Sequence, residues 1–212
     1  MELFTLHDFK VFDLEGFAER MTAIRSRIRP KLASIGEELA PRISGLVDVP
    51  LHVHVARHLR RTVNPPDDTW AAIGANPRGY KKDVHFKVAI SRNCVRLLFE
   101  AGPEYYAKSD WASEWNREFR DNSRLRGNPV LAWFKNEHDE TPAAPLSDLS
   151  SAEVKSLGSE LTRRKDGQLV IGRRIDAKEF VRLNRKQVEK IALETFMPLA
   201  PLFQLHDARV LA

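Results

Sequence analysis

The residue types most suited to chemistry lie close together between His54 and Phe86. This stretch contains three histidines, four arginines, two lysines, a tryptophan and a tyrosine, within a region whose apolar alternation is typical of a sheet. Such a density of cationic and aromatic side chains indicates a surface that holds an anion. The candidate ligand-binding residues are His54, His58, Arg60, Arg61, Asn64, Trp70, Arg78, Tyr80, Lys81 and His85.

Two turns are expected to bring these residues together at one end of the sheet. Asn64 precedes a double proline, which forces an extended and stiff connection. The sequence Asn76-Pro77-Arg78-Gly79 suits a type I turn. Arginine offers a fork of donors for carboxylate or phosphate oxygens, and an aromatic ring could stack on a planar base. The pattern therefore favours binding of a small anionic or phosphorylated ligand, with nucleotides among the candidates.

Four other interpretations compete with this one. The arginines could simply pair with neighbouring acids and coat the sheet, as most charge runs do; the acids in reach are Asp67, Asp68, Asp83 and Glu100. His52 and His54 share a strand face and could bind a metal together with His85. No Asp or Glu lies at a spacing typical of a metal site, so no metal or other cofactor is predicted.

Catalysis and nucleic-acid binding also stay open. The sequence has no Gly-x-Ser-x-Gly and no His-Glu-x-x-His motif, so no catalytic residue is assigned. If the protein is a hydrolase or transferase, His54 or His85 is the natural general acid or base. A sequence pI near 9.4 and mixed Arg, Lys and aromatic residues would suit a nucleic-acid-binding accessory protein, although the formal net charge is only +5.

Length and composition predict one α+β domain over residues 1–212. With 42% hydrophobic residues, the 212-residue chain can bury a sizeable core. The single cysteine, Cys94, rules out a disulfide within the chain. The N-terminus lacks the pattern of a signal peptide, and no segment has the ~20 apolar residues of a membrane span. A cytoplasmic protein that makes no contact with a membrane is expected, and its oligomeric state is left open.

The hydrophobic pattern predicts a long N-terminal helix packed on an antiparallel meander. Apolar residues recur every three or four positions from Leu14 to Leu39, with a kink expected at Pro30. Phe9 to Phe12 has strand character, and alternating residues predict further strands near 51–55, 69–74, 84–90 and 95–99. One face of this sheet is apolar and the other carries His52, His54, His85, Lys87, Arg96 and Glu100. That polar face is either open to water or the floor of a pocket.

The C-terminal half is expected to supply the remaining helices. Residues 136–147 are polar and contain proline, which is typical of a surface loop. Lys165-Asp166-Gly167-Gln168 predicts a hairpin turn between two strands. Capping boxes at Ser150 and Asn184 predict two helices, of which the second should be the last.

The central residues also resemble a known family. The runs 54–58, 60–66, 68–70 and 78–82, followed by His85-Phe86, look like the signature of the YktB-like proteins, uncharacterised proteins of Gram-positive bacteria. The N-terminal run 9–12, with 17–21 and 29–32, is similar as well. This resemblance implies a compact α+β fold and brings no established activity.

Overall fold

A computed structural model describes residues 1–207, with side chains up to residue 205, and shows an α+β fold. Its seven strands form one antiparallel sheet in the order β1-β2-β3-β4-β7-β5-β6. The predicted meander is confirmed, because β1 to β4 pair in chain order. The strands are β1 His52–Val55, β2 Asp68–Gly74, β3 His85–Ser91, β4 Cys94–Ala101, β5 Ala132–Phe134, β6 Ala144–Pro145 and β7 Leu169–Asp176.

Helices flank the sheet. They are α1 Leu6–Phe9, α2 Phe17–Ala23, α3 Arg29–Val47, α4 Lys108–Asp121, α5 Ser123–Arg126, α6 Ser151–Arg163, α7 Ala177–Phe180, α8 Arg185–Phe196 and α9 Ala200–Asp207. Short 3₁₀ turns cover Lys10–Asp13, Leu146–Asp148 and Met197–Leu199. The predicted capping boxes at Ser150 and Asn184 are both present.

The long N-terminal helix runs from Phe17 to Val47 and changes its winding once. A π-helical turn, Ile24–Ile28, ends two residues before Pro30. Proline has no N–H to donate and its ring crowds the preceding turn, so a wider turn at this point lets the helix continue. The predicted strand at Phe9–Phe12 is wrong, because these residues close α1 and enter the 3₁₀ turn.

The apolar face of the sheet packs against the helices, as the alternation predicts. Gly36 of α3 lies so close to β1 that an added Cβ would come within 2.6 Å of Val53. On β3, the Phe86 ring stacks on Phe203 of α9, with centroids 5.3 Å apart, and tilts against Phe196 of α8 at 5.0 Å. Within residues 1–207, no helix is long and apolar enough to cross a membrane.

Two expectations for the C-terminal half are wrong. The segment before Lys165 belongs to helix α6 and not to a strand, so Asp166-Gly167 joins a helix to β7 instead of closing a hairpin. The helix capped by Asn184 is not the last, since α9 follows it after one 3₁₀ turn. Helix α6 has an apolar stripe that packs on the core, and this packing outweighs the local turn signal.

Candidate functional site

The polar face of the central strands is buried, although its residues are charged. His85, Lys87, Arg96 and Glu100 are each at most 3% exposed. The segment that follows β5 lies on this face: Lys87 forms ion pairs with both Glu100 and Glu137, and the Lys87–Glu100 distance is 2.9 Å. The surface loop expected at residues 136–147 therefore begins as a cover over the sheet.

Lys87 is the centre of the first polar cluster. Its Nζ lies 4.4 Å from the centroid of the Trp70 ring, in addition to its two carboxylate partners. Burial lowers the pKa of Lys87, against the pull of Glu100. Burial alone would raise the pKa of Glu100, but its neighbours Lys87 and His85 hold that pKa below its ordinary range. In this cluster, the positive charge of Lys87 balances the buried carboxylate of Glu100 and keeps it ionised.

His85 connects this cluster to the turn before β3. Its Nδ1 lies 3.1 Å from the backbone carbonyl oxygen of Asp83, and its Nε2 lies 3.3 Å from Oε2 of Glu100. Because a carbonyl oxygen only accepts, Nδ1 carries a proton. Nε2 is buried and makes no hydrogen bond of acceptable geometry with any described residue.

A second cluster surrounds Asp68 at the start of β2. Arg96 donates to the Asp68 carboxylate at 2.6 Å, and His138 Nδ1 lies 3.0 Å from the other oxygen. Arg96 also donates to the carbonyl oxygens of Glu137 at 2.6 Å and Asp139 at 3.0 Å. Burial acts to raise the pKa of Asp68, but His138 and Arg96 lower it overall. Arg96 therefore fixes the covering segment to the sheet.

A narrow cavity of about 250 Å³ adjoins the first cluster, and a wide cleft of about 950 Å³ lies beside it. Tyr80, Lys81 and Glu104 border both spaces. The other residues around the narrow cavity are His58, Arg61, Trp70, His85, Glu100, Gly102, Pro103, Glu137 and His138. The other residues around the wide cleft are Arg29, Val53, His54, Val55, Ala56, Arg57, Asn76, Pro77, Arg78, Gly79 and Lys82.

Tyr80 stands between the two spaces. Its ring centroid is 5.9 Å from that of His54 on the cleft side and 4.8 Å from that of His85 on the cavity side. Its hydroxyl accepts a hydrogen bond from Trp70 Nε1 at 2.9 Å. Burial raises the pKa of Tyr80 to about 12, so the phenol stays neutral near pH 7.

The wide cleft carries positive charge that the side chains of residues 1–205 do not fully neutralise. Lys81 pairs with Glu104 at 3.3 Å. The four other cations of the cleft make no ion pair with any side chain of residues 1–205; they are Arg29, Arg57, Arg78 and Lys82.

Three of the four acids expected to neutralise these cations pair with other residues. Asp67 pairs with Arg20, Asp68 with Arg96 and Glu100 with Lys87. The interpretation of the basic run as an acid-paired coat on the sheet is therefore not supported for these three carboxylates.

The ten predicted site residues do not form one pocket. His54 and Arg78 line the wide cleft, while His58, Arg61, Trp70 and His85 line the narrow cavity; Tyr80 and Lys81 line both. The other two of the ten, Arg60 and Asn64, border neither space and are exposed. The double proline holds the end of this loop beside β2, but the loop's middle points into solvent.

Several site residues were not among the predicted ten. Alternation predicts Arg96, Lys87 and Glu100 on the polar face, but it gives Arg96 and Lys87 no role in the site and makes Glu100 only a possible partner of the arginines or of a catalytic histidine. Arg29 lies in the N-terminal helix and Glu137 and His138 lie in the supposed loop, where no local signal marks them. Among the side chains of residues 1–205, no three His, Cys, Asp or Glu are grouped to hold a metal ion, so His52, His54 and His85 do not come together as such a group.

His58 gives a testable pH dependence. It has a left-handed backbone with φ 52°, and its Nε2 lies 3.0 Å from Thr69 Oγ1. Burial lowers the pKa of His58 to about 4; Asp68 opposes this shift, while Arg61 adds to it. The folded protein thus keeps His58 neutral where the unfolded chain, with a histidine pKa near 6.5, binds a proton.

Lowering the pH from 7 to 5 is therefore expected to favour unfolding through His58. After allowance for solvent screening, the loss should be about 1 kcal/mol in the free energy of unfolding. His58→Asn, which tolerates the same backbone conformation, should lose correspondingly less. Urea unfolding at pH 7, 6 and 5 measures both slopes, and equal slopes would contradict the neutral state of His58.

Comparison with known proteins places the chain in a family. A family described as a domain of unknown function (DUF1054) matches residues 4–203, which include every residue that borders the two spaces. A UPF0637 protein of Oceanobacillus iheyensis is 35% identical over 205 residues, covering 97% of each chain. A UPF0637 protein of Macrococcus caseolyticus is 32% identical over 200 residues, covering 94% of this chain and 97% of that one. The chain therefore belongs to the uncharacterised DUF1054 (UPF0637) family, and its resemblance to the YktB-like proteins is confirmed.

Proposed function

We propose that the protein binds a small anionic or phosphorylated ligand in the wide cleft. The observation that carries this proposal is a set of cations around one concave space, of which four have no acidic partner among the side chains of residues 1–205. Of the described residues, five cations line the cleft with one carboxylate, Glu104, which Lys81 already engages. Like charges held close together repel, and an anion between them relieves that cost.

Arg29 is the most telling member of this set. It is only partly exposed, and its Nε is buried without a hydrogen-bond partner among the described residues. A buried guanidinium normally finds a carboxylate or carbonyl acceptor, because an unpaired buried donor costs free energy. Arg29 borders the cleft, so a phosphate or carboxylate bound there could supply that acceptor.

The size and lining of the cleft support a ligand larger than a simple ion. A volume of about 950 Å³ lies within the range of ordinary small-molecule sites. Val53, Val55 and Pro77 give apolar surface beside the cations, and Tyr80 gives an aromatic one. A phosphorylated metabolite of nucleotide size would fit this combination.

Pyrophosphate is a suitable first probe, since it is anionic and carries no organic part. Titration calorimetry is expected to show binding that weakens about 10- to 100-fold in Arg78→Met, the loss of one charged hydrogen-bond donor. Arg163→Met is the matched control, because Arg163 is exposed, pairs with Glu160 and borders neither space. Absence of binding, or equal affinity in Arg78→Met and the wild type, would contradict the proposal.

Salt dependence separates this function from nucleic-acid binding. The affinity of a small anion bound in the cleft should fall little between 50 and 200 mM NaCl. The affinity of a polyanion that contacts many cations should fall steeply over the same range. A single-stranded oligonucleotide that bound more tightly than pyrophosphate, with a steep salt slope, would assign the basic surface to nucleic acid instead.

A further inference from the structure

His85 and Glu100 border the narrow cavity, and Nε2 of His85 and Oε2 of Glu100 face each other without a donor correctly placed between them. Nδ1 of His85 holds its proton toward the Asp83 carbonyl, so a neutral His85 presents only a lone pair at Nε2. Oε2 of Glu100, also an acceptor, lies 3.3 Å away. If His85 is protonated instead, its Nε2–H does not align with that oxygen, since Nε2 makes no hydrogen bond within residues 1–205.

A hydroxyl group satisfies this arrangement in either state of His85. It can donate to a neutral imidazole or accept from a protonated one, and in the second case it still has a proton for Glu100. A carbonyl or a phosphate oxygen lacks that proton. His85 is 1% exposed and borders the cavity, so its unpartnered nitrogen is a feature of a built site and not of the open surface.

Gly102 lies directly against the Glu100 carboxylate at the cavity. A Cβ at this position would lie 2.9 Å from Oε1 of Glu100, closer than real Cβ contacts allow. Gly102 also borders the cavity, which places this free space next to the carboxylate. The glycine thus keeps room for a ligand atom where any other residue would crowd Glu100.

The charges around the cavity favour neutral hydroxyls over a cationic amine. Lys87 already pairs with Glu100 and Glu137, and Lys81 pairs with Glu104. Every carboxylate that borders the cavity thus has a lysine partner, while Arg61 adds a positive charge. A ligand ammonium group would meet repulsion there, whereas hydroxyls can share the carboxylate oxygens.

We propose that the narrow cavity binds the hydroxyl-bearing end of the ligand whose anionic end occupies the wide cleft. The ligand class is then phosphorylated polyols and sugars, the sugar end of a nucleotide included. Tyr80 and Lys81 border both spaces, so a molecule lying along them reaches the cleft cations and the pair formed by His85 and Glu100. This inference rests on the proposed function of the cleft.

Ribose 5-phosphate and methyl phosphate form a matched pair of probes, because both are phosphate monoesters and only the first carries a polyol. In calorimetric titrations at 150 mM NaCl, ribose 5-phosphate is expected to bind at least about tenfold more tightly. His85→Phe should remove this difference and leave the affinity for methyl phosphate unchanged. His52→Phe is the control, since His52 is exposed on β1 and borders neither space.

The possible results separate the inference from the proposed function. Equal affinity for the two probes in the wild type, alongside binding of pyrophosphate, would overturn the inference and leave the anion site standing. Equal affinity for ribose 5-phosphate in His85→Phe and the wild type would show that the cavity holds only water, and would overturn it too. If the wild type binds neither ribose 5-phosphate nor pyrophosphate, both the inference and the proposed function are rejected. If thermal melting shows that His85→Phe does not fold, the wild-type comparison of the two probes decides.

Discussion

Replacement of Arg96 by methionine is expected to lower the free energy of unfolding by about 3–5 kcal/mol, the usual cost of removing one partner from a buried ion pair. Arg96 is fully buried and donates to the Asp68 carboxylate at 2.6 Å. Without it, Asp68 keeps His138 as its one remaining hydrogen-bond partner among the described side chains, in a place where water cannot replace the guanidinium. The carbonyl oxygens of Glu137 and Asp139 lose their donor as well.

Urea unfolding at pH 7 measures this loss. Arg163→Met is again the matched control, because the exposed pair between Arg163 and Glu160 should contribute no more than about 0.5 kcal/mol. A loss below about 1 kcal/mol for Arg96→Met would mean that the covering segment does not depend on this arginine. It would then be wrong to describe the polar face as a closed network.

Neutralising two cleft arginines at once should have the largest effect on binding. In the double variant Arg29→Met and Arg78→Met, the dissociation constant for pyrophosphate should rise by at least about 100-fold, since each charged hydrogen bond is worth about 1.5–3 kcal/mol. The two side chains border the same cleft, and each lacks an acidic partner within residues 1–205. Removing them therefore leaves no carboxylate uncompensated, and the fold should be retained.

The control for this variant removes two charges elsewhere. Arg117 and Arg163 are exposed, pair with acids on their own helices and border neither space. Arg117→Met with Arg163→Met lowers the net charge by the same amount, so a general electrostatic effect would appear in both proteins. Equal weakening in the two double variants would attribute binding to net charge and not to the cleft.

The sheet could be predicted from the sequence because alternation has a direct physical meaning. Phe86 and Val88 face the helices while His85 and Lys87 face the other side, as successive residues of a strand must. The position of the helix distortion near Pro30 follows from the missing donor of proline in the same way. Both features depend on residues close together in the chain.

The state of the polar face could not be predicted, because its partners are remote in sequence. Glu137 reaches Lys87 across 50 positions, and His138 reaches Asp68 across 70. A polar segment with turn residues has the same composition whether it lies in solvent or covers buried charges. Arg29 was missed for a similar reason, since an arginine in a helix ordinarily faces water.

Arg60 and Asn64 show the opposite error. Their position next to Arg61 and the double proline predicts that they belong to the site. In the structure, they border neither the cavity nor the cleft. Adjacent residues in an irregular loop need not point the same way, so a dense basic run gives the approximate place of a site and not its members.

A crystal structure of the protein grown or soaked with pyrophosphate tests the anion site most directly. The proposal predicts pyrophosphate in the wide cleft, with oxygens within hydrogen-bond distance of Arg29 and of at least one of Arg57 and Arg78. Pyrophosphate bound only at other surfaces, with an empty cleft in which these arginines point away from one another into solvent, would contradict it.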